Sequence, residues 1–313
     1  MTAILFVHAT GDAEAWRAAL ASHLPDVAFR VWPDCRDPDE VTFALVWEPP
    51  AGFHEPFKNL RTVMSVGAGV DHLLRLRDLP ERLVLARVVD PFLTRMMCEY
   101  VLFATLRYHR LFDVFEQAQS SAEWLPRRVK PAADRTVGVM GLGRIGTAAA
   151  RLLVKHGFRV RGWSRSPKSL AGVEDFCGDS ELHAFLSETE ILICLLPLTD
   201  RTRGILDRSN LGRLPKGACL VNVGRGAQLV DEALLELLDT GHLRGATLDV
   251  FGEEPLPAAH RFWSHPRVLV TPHIAAYTDP RSAAAQVAEN VRRTLTGAPL
   301  INPVDRAAHR FDD

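Results

Sequence analysis

The sequence predicts an α/β protein made of two parallel-sheet domains around a cleft. Three observations predict it. Short aliphatic runs alternate with helical segments from one end of the chain to the other, the pattern of parallel strands joined by covering helices. A glycine fingerprint, Gly141-Leu142-Gly143-Arg144-Ile145-Gly146, follows one of those runs in mid-chain. The length, 313 residues, suits about two domains on a prior of roughly 150 residues each.

The elements are expected in this order. Ile4–Val7 is a strand and Ala13–Leu24 a helix. Phe43–Val46 and Thr62–Val66 are strands, the second running into the turn Gly67-Ala68-Gly69-Val70-Asp71. A long helix is expected from Arg95 to Ser120. There Met97, Val101, Ala104, Tyr108, Leu111 and Phe115 keep three- and four-residue spacings that place them on one face. A second α/β unit opens with the strand Thr136–Met140 and a helix over Thr147–Lys155. Further strands are expected near Arg159–Trp163, Ile191–Leu195, Leu220–Val223, Ala246–Val250 and Val268–Thr271. The helix from Arg281 to Leu295 has Pro280 ahead of its first turn, where a missing N–H costs nothing. Its length lets it return the chain to the first domain. That domain is therefore expected to be discontinuous, residues 1–97 plus 283–313, with a dinucleotide-binding domain of residues 98–282 inserted.

Composition narrows the function classes. Apolar residues make up 47% and charged residues 24%, ordinary for a globular protein with a sizeable core. A formal net charge of -1 argues against nucleic-acid or membrane-surface partners. The short basic run Arg127-Arg128-Val129-Lys130 reads as a solvated loop. The five cysteines form no Cys-x-x-Cys pair, and Cys194 and Cys219 sit inside apolar strand patterns. This fits a reducing, cytoplasmic compartment and no structural zinc or other metal. The first residues read as a strand and not as a signal peptide. No apolar run approaches the roughly 18 residues a membrane span needs.

The fingerprint is expected to bind a dinucleotide, since it follows a strand and opens a helix. Gly141 permits the tight turn, Gly143 lets backbone approach a pyrophosphate, and Gly146 allows close packing of helix on sheet. Arg144 and Ile145 lie at the helix N-terminus, whose N–H groups and partial positive charge suit phosphates. About 20 residues on, an NAD enzyme usually offers a carboxylate to the ribose. This chain instead reads Ser164-Arg165-Ser166-Pro167-Lys168. Two hydroxyls, a guanidinium and an ammonium suit a 2′-phosphate, so NADP(H) is expected over NAD(H), which stays possible.

Three strand patterns each lead to a different polar residue. Cys219–Gly224 runs into Arg225, Gly245–Val250 leads to Glu254, and Val268–Pro272 stops at His273. Ligands of open α/β sheets bind beyond the carboxyl ends of the strands. Beside a dinucleotide, these are the parts needed to reduce a 2-oxo acid. His273 would donate the proton, Glu254 would favour its imidazolium form, and Arg225 would fork onto carboxylate and carbonyl oxygens. Each residue also has a plain alternative: a surface turn, an acidic loop, a satisfied core histidine. In the first domain, the turn through Ala68 and Gly69 would bind a carboxylate through backbone N–H groups. Trp47 would wall the same site, or simply pack in the core.

These motifs resemble the D-isomer-specific 2-hydroxyacid dehydrogenases over nearly the whole chain. The resemblance rests on Gly141–Gly146, on Leu220–Gly226 with Val230–Leu234, on Leu248–Pro257 and on Thr271–Ala276. Leu45–Pro50, Gly162–Ser166 and Leu195–Pro197 look most like the branch of that family that reduces glyoxylate and hydroxypyruvate. The resemblance implies two Rossmann-like domains, one flavodoxin-like and one dinucleotide-binding, that close by a hinge, and a homodimer. It implies the same roles for Arg225, Glu254 and His273, and cofactor contacts at Leu196, Pro197, Val223 and Asp249. Trp124 resembles an aromatic of the family's dimerisation loop that either reaches a neighbour's site or packs in the interface. Two departures stand out. Gly224 replaces the family's common Ala, which would loosen the loop holding Arg225. Val89–Thr94 differs from the usual pattern where the chain crosses between domains.

The expected function is NADPH-dependent reduction of a small 2-oxo acid such as glyoxylate or hydroxypyruvate. The alternatives are a bulkier 2-oxo acid, or a non-catalytic NAD(P)H-sensing protein. A hydrolase lacks support, because no Gly-x-Ser-x-Gly elbow is present.

Overall fold

A computed structural model describes residues 2–8 and 11–306. Met1 and residues 307–313, the outer ends of the expected first domain, lie outside the described residues. The chain divides into two compact units, Met1–Leu93 with Tyr277–Asp313, and Thr94–Ala276.

In chain order the elements are β1 (Thr2–His8), α1 (Ala13–Ala21), β2 (Val27–Val31), β3 (Val41–Trp47), β4 (Thr62–Ser65), α2 (Asp71–Leu74), β5 (Val84–Arg87) and α3 (Pro91–His109). They continue with α4 (Phe112–Ser120), β6 (Thr136–Met140), α5 (Arg144–Lys155), β7 (Arg159–Ser164), β8 (Val173–Cys177), α6 (Gly178–Ser187) and β9 (Ile191–Cys194). The last are α7 (Arg208–Leu211), β10 (Ala218–Asn222), α8 (Asp231–Asp239), β11 (Leu243–Leu248), β12 (Val268–Val270) and α9 (Pro280–Thr296).

The first unit holds a parallel five-stranded sheet of order β2-β1-β3-β4-β5, the doubly wound order of flavodoxin-like folds. The second holds a parallel seven-stranded sheet of order β12-β11-β10-β9-β6-β7-β8. Its order reverses between β6 and β9, as in a dinucleotide-binding sheet with one extra strand. Alternation along each strand feeds two cores per sheet. On β1, Ile4 and Phe6 pack with α9 residues Val287 and Val291, while Leu5 and Val7 face Phe53, Phe57 and Leu73. On β10, Leu220 joins one core and Cys219 and Val221 the other.

Several expectations change. The helix expected over Arg95–Ser120 is two helices, α3 and α4, parted at Leu111, whose φ of 63° is left-handed and cannot continue a helix. Arg244 of β11 clamps the break, donating to the Tyr108 carbonyl at 2.8 Å and pairing with Asp113 at 3.0 Å. The helix also starts earlier, at Pro91, where the Asp90 carboxylate accepts the Phe92 N–H at 2.9 Å. Lys130, read as a solvated loop charge, pairs with Glu190 at 2.6 Å. Strands β2, β5 and β8 are not evident in the sequence: Val27–Val31 and Val173–Cys177 carry charges at inner positions, and Val84–Arg87 is only four residues long.

Leu248 is fully buried at the carboxyl end of β11, directly before Asp249. Leu248→Ala should lower the free energy of unfolding by about 2–5 kcal/mol, measured by urea denaturation. A loss well under about 1 kcal/mol would mean that this core does not hold the strand end as described.

Candidate active site

Asp249 follows β11 and is 1% exposed. Its Oδ1 accepts the Thr271 hydroxyl at 2.6 Å and the Ile274 N–H at 2.9 Å, and its Oδ2 accepts the Ala275 N–H at 2.9 Å. These bonds grip the chain on both sides of His273. The Asp249 carbonyl takes the His273 N–H itself at 2.9 Å. His273 is held at φ 54°, a left-handed conformation that His tolerates better than most residues. Burial raises the Asp249 carboxyl above its ordinary value, against the bonds from Thr271, Ala275 and Ile274. The Tyr100 hydroxyl lies 2.6 Å from the Thr271 hydroxyl. Thr271 gives its proton to Asp249, so Tyr100 is the donor to Thr271. Burial pushes the Tyr100 phenol up to about 12, which keeps that donor protonated.

His273 Nδ1 and Glu254 Oε2 are 2.7 Å apart, and both side chains keep 33% exposure. The other carboxylate oxygen of Glu254 accepts the Phe251 N–H at 2.9 Å, which fixes its orientation. The hydrogen bond to Glu254 raises the His273 pKa above its ordinary value. Burial and the Arg225 charge oppose the rise, and the charges of Glu254 and Asp249 add to it. Burial alone would raise Glu254. The bonds from His273 and Phe251, with the charges of His273 and Arg225, hold it below the usual carboxylate range instead. With Nδ1 committed to the carboxylate, Nε2 is the nitrogen left to meet a substrate.

Arg225 follows β10. It is brought near this pair by a glycine contact: a Cβ on Gly226 would lie 1.8 Å from the Phe251 carbonyl carbon, so only glycine lets the Arg225 turn lie on the Phe251–Glu254 loop. The charge of Arg225 registers at both Glu254 and His273. Its Nη1 donates to the Gly224 carbonyl at 2.8 Å. Two buried amides hold the turn. Asn222 Oδ1 accepts the Gly224 N–H at 3.2 Å, and Gln228 Oε1 accepts the Arg225 N–H at 2.8 Å. Gln228 was missed in the sequence. Its only signal there is a polar residue between Ala227 and Leu229.

The glycine fingerprint serves three purposes. Gly141 has φ 97°, and a Cβ there would meet the Leu195 carbonyl oxygen at 2.8 Å. A Cβ on Gly146 would lie 1.7 Å from the Gly141 carbonyl oxygen. The fold itself requires both. Gly143 differs, because a Cβ there would touch nothing within 4 Å and its φ of -70° suits any residue. No side chain caps the N-terminus of α5 that begins at Arg144 and Ile145. Beyond β7, Ser164 is buried and donates to the Ser166 carbonyl at 2.8 Å. Ser166 is exposed, as are Arg165 and Lys168, whose side chains make no hydrogen bond or ion pair among the described residues. Leu196 and Pro197 follow β9, and Val223 follows β10. Among the described residues, no three His, Cys, Asp or Glu side chains cluster as a metal site needs.

In the first unit, Trp47 ends β3 and its ring lies 4.6 Å from that of His72. A Cβ on Gly67 would lie 2.5 Å from that indole, so the turn after β4 packs on Trp47. Ser65 braces the turn, its Oγ donating to the Gly69 carbonyl at 2.8 Å. The N–H groups of Ala68 and Gly69 have no acceptor among the described residues.

The His273–Glu254 pairing yields a direct test. NMR titration of His273 should give a pKa above the ordinary value of about 6.5. Glu254→Gln should bring it down, since a neutral amide cannot favour the imidazolium as a carboxylate does. The protonated imidazole and the ionised carboxylate are the stabilised forms, so the pairing strengthens the fold below about pH 6.5, is lost as pH rises through the raised His273 pKa, and is lost again in acid as Glu254 is protonated. An unchanged titration in the variant would contradict the pairing.

Comparison with known proteins gives the family. Residues 102–275 match the family described as "D-isomer specific 2-hydroxyacid dehydrogenase, NAD binding domain". The chain is 42% identical over 310 residues to the glyoxylate/hydroxypyruvate reductase A of Serratia proteamaculans, covering 96% of this chain and 98% of that one. A D-isomer specific 2-hydroxyacid dehydrogenase from Xanthobacter autotrophicus, solved with NADPH and MES, superposes with a TM-score of 0.94 at 44% identity over 99% of both chains. An NADPH-dependent glyoxylate/hydroxypyruvate reductase from Sinorhizobium meliloti, solved with NADP and sulfate, gives 0.92 at 38% identity over 99% of this chain and 100% of that one. With its paired His273 and Glu254 and its two parallel sheets, this chain belongs to the D-isomer specific 2-hydroxyacid dehydrogenase family.

Proposed function

We propose that this protein reduces small 2-oxo acids, glyoxylate and hydroxypyruvate, to 2-hydroxy acids with NADPH. The observation that carries the reading is the 2.7 Å bond between His273 Nδ1 and Glu254, which leaves Nε2 of a protonated imidazole as a proton donor. The relatives named for this activity, and the neighbours solved with NADPH or NADP, support it.

Bound nicotinamide supplies the hydride. His273 gives its Nε2 proton to the carbonyl oxygen as negative charge builds there, and Glu254 stabilises the imidazolium until that moment. Arg225 holds the carboxylate and polarises the carbonyl with its planar fork. The N–H groups of Ala68 and Gly69 suit the substrate carboxylate, and Trp47 is positioned by the same turn. Asp249 keeps His273 aimed.

The residues fit the dinucleotide. The open space at Gly143 has no explanation within the chain, and a pyrophosphate approaching backbone supplies one. The uncapped N-terminus at Arg144 and Ile145 offers donors to it. Gly141 and Gly146 shape the loop. Arg165 and Lys168, with the hydroxyl of Ser166, are assigned to the 2′-phosphate, while the buried Ser164 hydroxyl, expected there too, gives its proton to the Ser166 carbonyl and shapes the turn. Leu196, Pro197 and Val223 are assigned to the dinucleotide, with Asp249 near its nicotinamide end.

Three finer assignments go with this. Residues 1–97 and 283–313 form the substrate domain and 98–282 the nucleotide domain. The protein is a homodimer through the nucleotide domain, where Phe103 (56%), Phe112 (55%) and Trp124 (94%) are unusually exposed. We place it in the cytoplasm, in keeping with five free cysteines, two of them buried. No helix among the described residues is long and apolar enough to cross a membrane.

A panel of 2-oxo acids, followed by oxidation of NADPH and of NADH, tests the activity. Glyoxylate and hydroxypyruvate should be turned over with NADPH preferred. Turnover of neither, with pyridine nucleotide still bound, would replace the enzyme with a sensor. In the same assay Arg165→Ala should raise the KM for NADPH by about 10- to 100-fold, the worth of lost charged hydrogen bonds, and leave NADH kinetics unchanged. An unaltered NADPH to NADH ratio would remove Arg165 from the phosphate site.

A further inference from the structure

We propose that Gln228 is a positioning residue of the active site, acting through Arg225, and that Gly224 is its required partner. The inference rests on the functional reading above for Arg225, and on observations of its own. Gln228 is 0% exposed. Its Nε2 donates to the carbonyls of Leu196 at 2.9 Å and Pro197 at 3.1 Å. Its Oε1 accepts the Arg225 N–H at 2.8 Å and the Cys194 thiol at 3.4 Å. Burial pushes that thiol up to about 12, so it stays a donor. Both N–H groups and both lone pairs are used, and this also fixes which way the amide faces.

The amide therefore joins two loops that follow neighbouring strands. One carries Leu196 and Pro197 after β9, and the other carries Arg225 after β10. If either loop shifts, a fully buried amide loses partners that no water can replace, at a cost larger than the worth of one ordinary hydrogen bond.

Gly224 makes the arrangement possible. Its φ is not positive, so its backbone does not demand glycine. Space does: a Cβ at 224 would lie 2.4 Å from Gln228 Oε1 and 3.1 Å from the Leu196 carbonyl oxygen. The expectation that glycine at 224 loosens the Arg225 loop is thus reversed, because the room left by the missing methyl is filled by the amide that ties the loop down.

A double-mutant cycle of Gly224→Ala, Gln228→Ala and the pair tests this on the full-length protein. Gly224→Ala should raise the KM for glyoxylate and lower kcat/KM at least tenfold. Gln228→Ala should do the same to a smaller extent. The double variant should be no worse than Gln228→Ala alone, since the new methyl occupies space the amide has vacated. The alkaline limb of the pH profile should not move downward in any of them, because Glu254 still holds His273 and a displaced Arg225 only removes a charge that opposes the raised His273 pKa. Thermal midpoints of the apoproteins should show the same non-additivity. Penalties that multiply, in activity and in midpoint, would overturn the proposal, as would a Gly224→Ala enzyme of normal activity. If Gly224→Ala does not fold, the isosteric Gln228→Glu carries the test. It presents oxygen to two carbonyls, so a tenfold loss of kcat/KM is expected and an unchanged KM for glyoxylate overturns the coupling. Should the wild type reduce no 2-oxo acid, the functional reading fails by itself and the cycle is read from the thermal midpoints.

Discussion

The carboxylate of Asp249 is the constraint on which the rest of the site depends. It sits at the end of β11, almost fully buried, and gathers the Thr271 hydroxyl and the N–H groups of Ile274 and Ala275. Between those anchors the chain has no freedom, and His273 takes a left-handed conformation that costs of order 1–3 kcal/mol in a residue other than glycine. The buried hydrogen bonds offset that cost and aim the imidazole at Glu254. Tyr100 extends the chain of donors one step further, into helix α3. The acid–base pair is thus held by backbone geometry that reaches back to the core of the sheet.

Glycine does the complementary work of bringing loops together. Gly226 lets the Arg225 turn lie on the Phe251 backbone, and Gly146 lets α5 lie on the Gly141 loop. Gly224 leaves room for a buried amide. Gly143 has no such reason within the chain, which makes it the fingerprint residue most informative about a ligand. Four glycines, all near the carboxyl ends of strands, thus reflect three different demands: close approach of backbone, space for a side chain, and space for something outside the protein.

Much of this could be read in the sequence, for identifiable reasons. Arg225, Glu254 and His273 follow apolar strands and differ in chemistry, so position and type were both visible. The parallel character of both sheets follows from strand and helix alternation, but their orders do not, because the edge strands β2, β5 and β8 carry no clear pattern. Other features depend on contacts that no local pattern carries. Leu111 fits the apolar spacing of a single long helix, yet its left-handed φ splits that helix, and the clamp at the break comes from Arg244, far along the chain. Gln228 looks like any polar turn residue until the carbonyls of Leu196 and Pro197 are placed beside it. Edge strand β8 pairs on one side only and carries Glu174 and Asp175, which hides its β character.

The central claim is that an imidazolium held by Glu254 is the proton source. The most direct measurement compares two quantities on one enzyme: the pKa of His273 from NMR titration, and the pH at which kcat/KM for glyoxylate falls on the alkaline side. The account predicts that the two coincide, both above the ordinary histidine value. A rate that stays level while His273 loses its proton would contradict it.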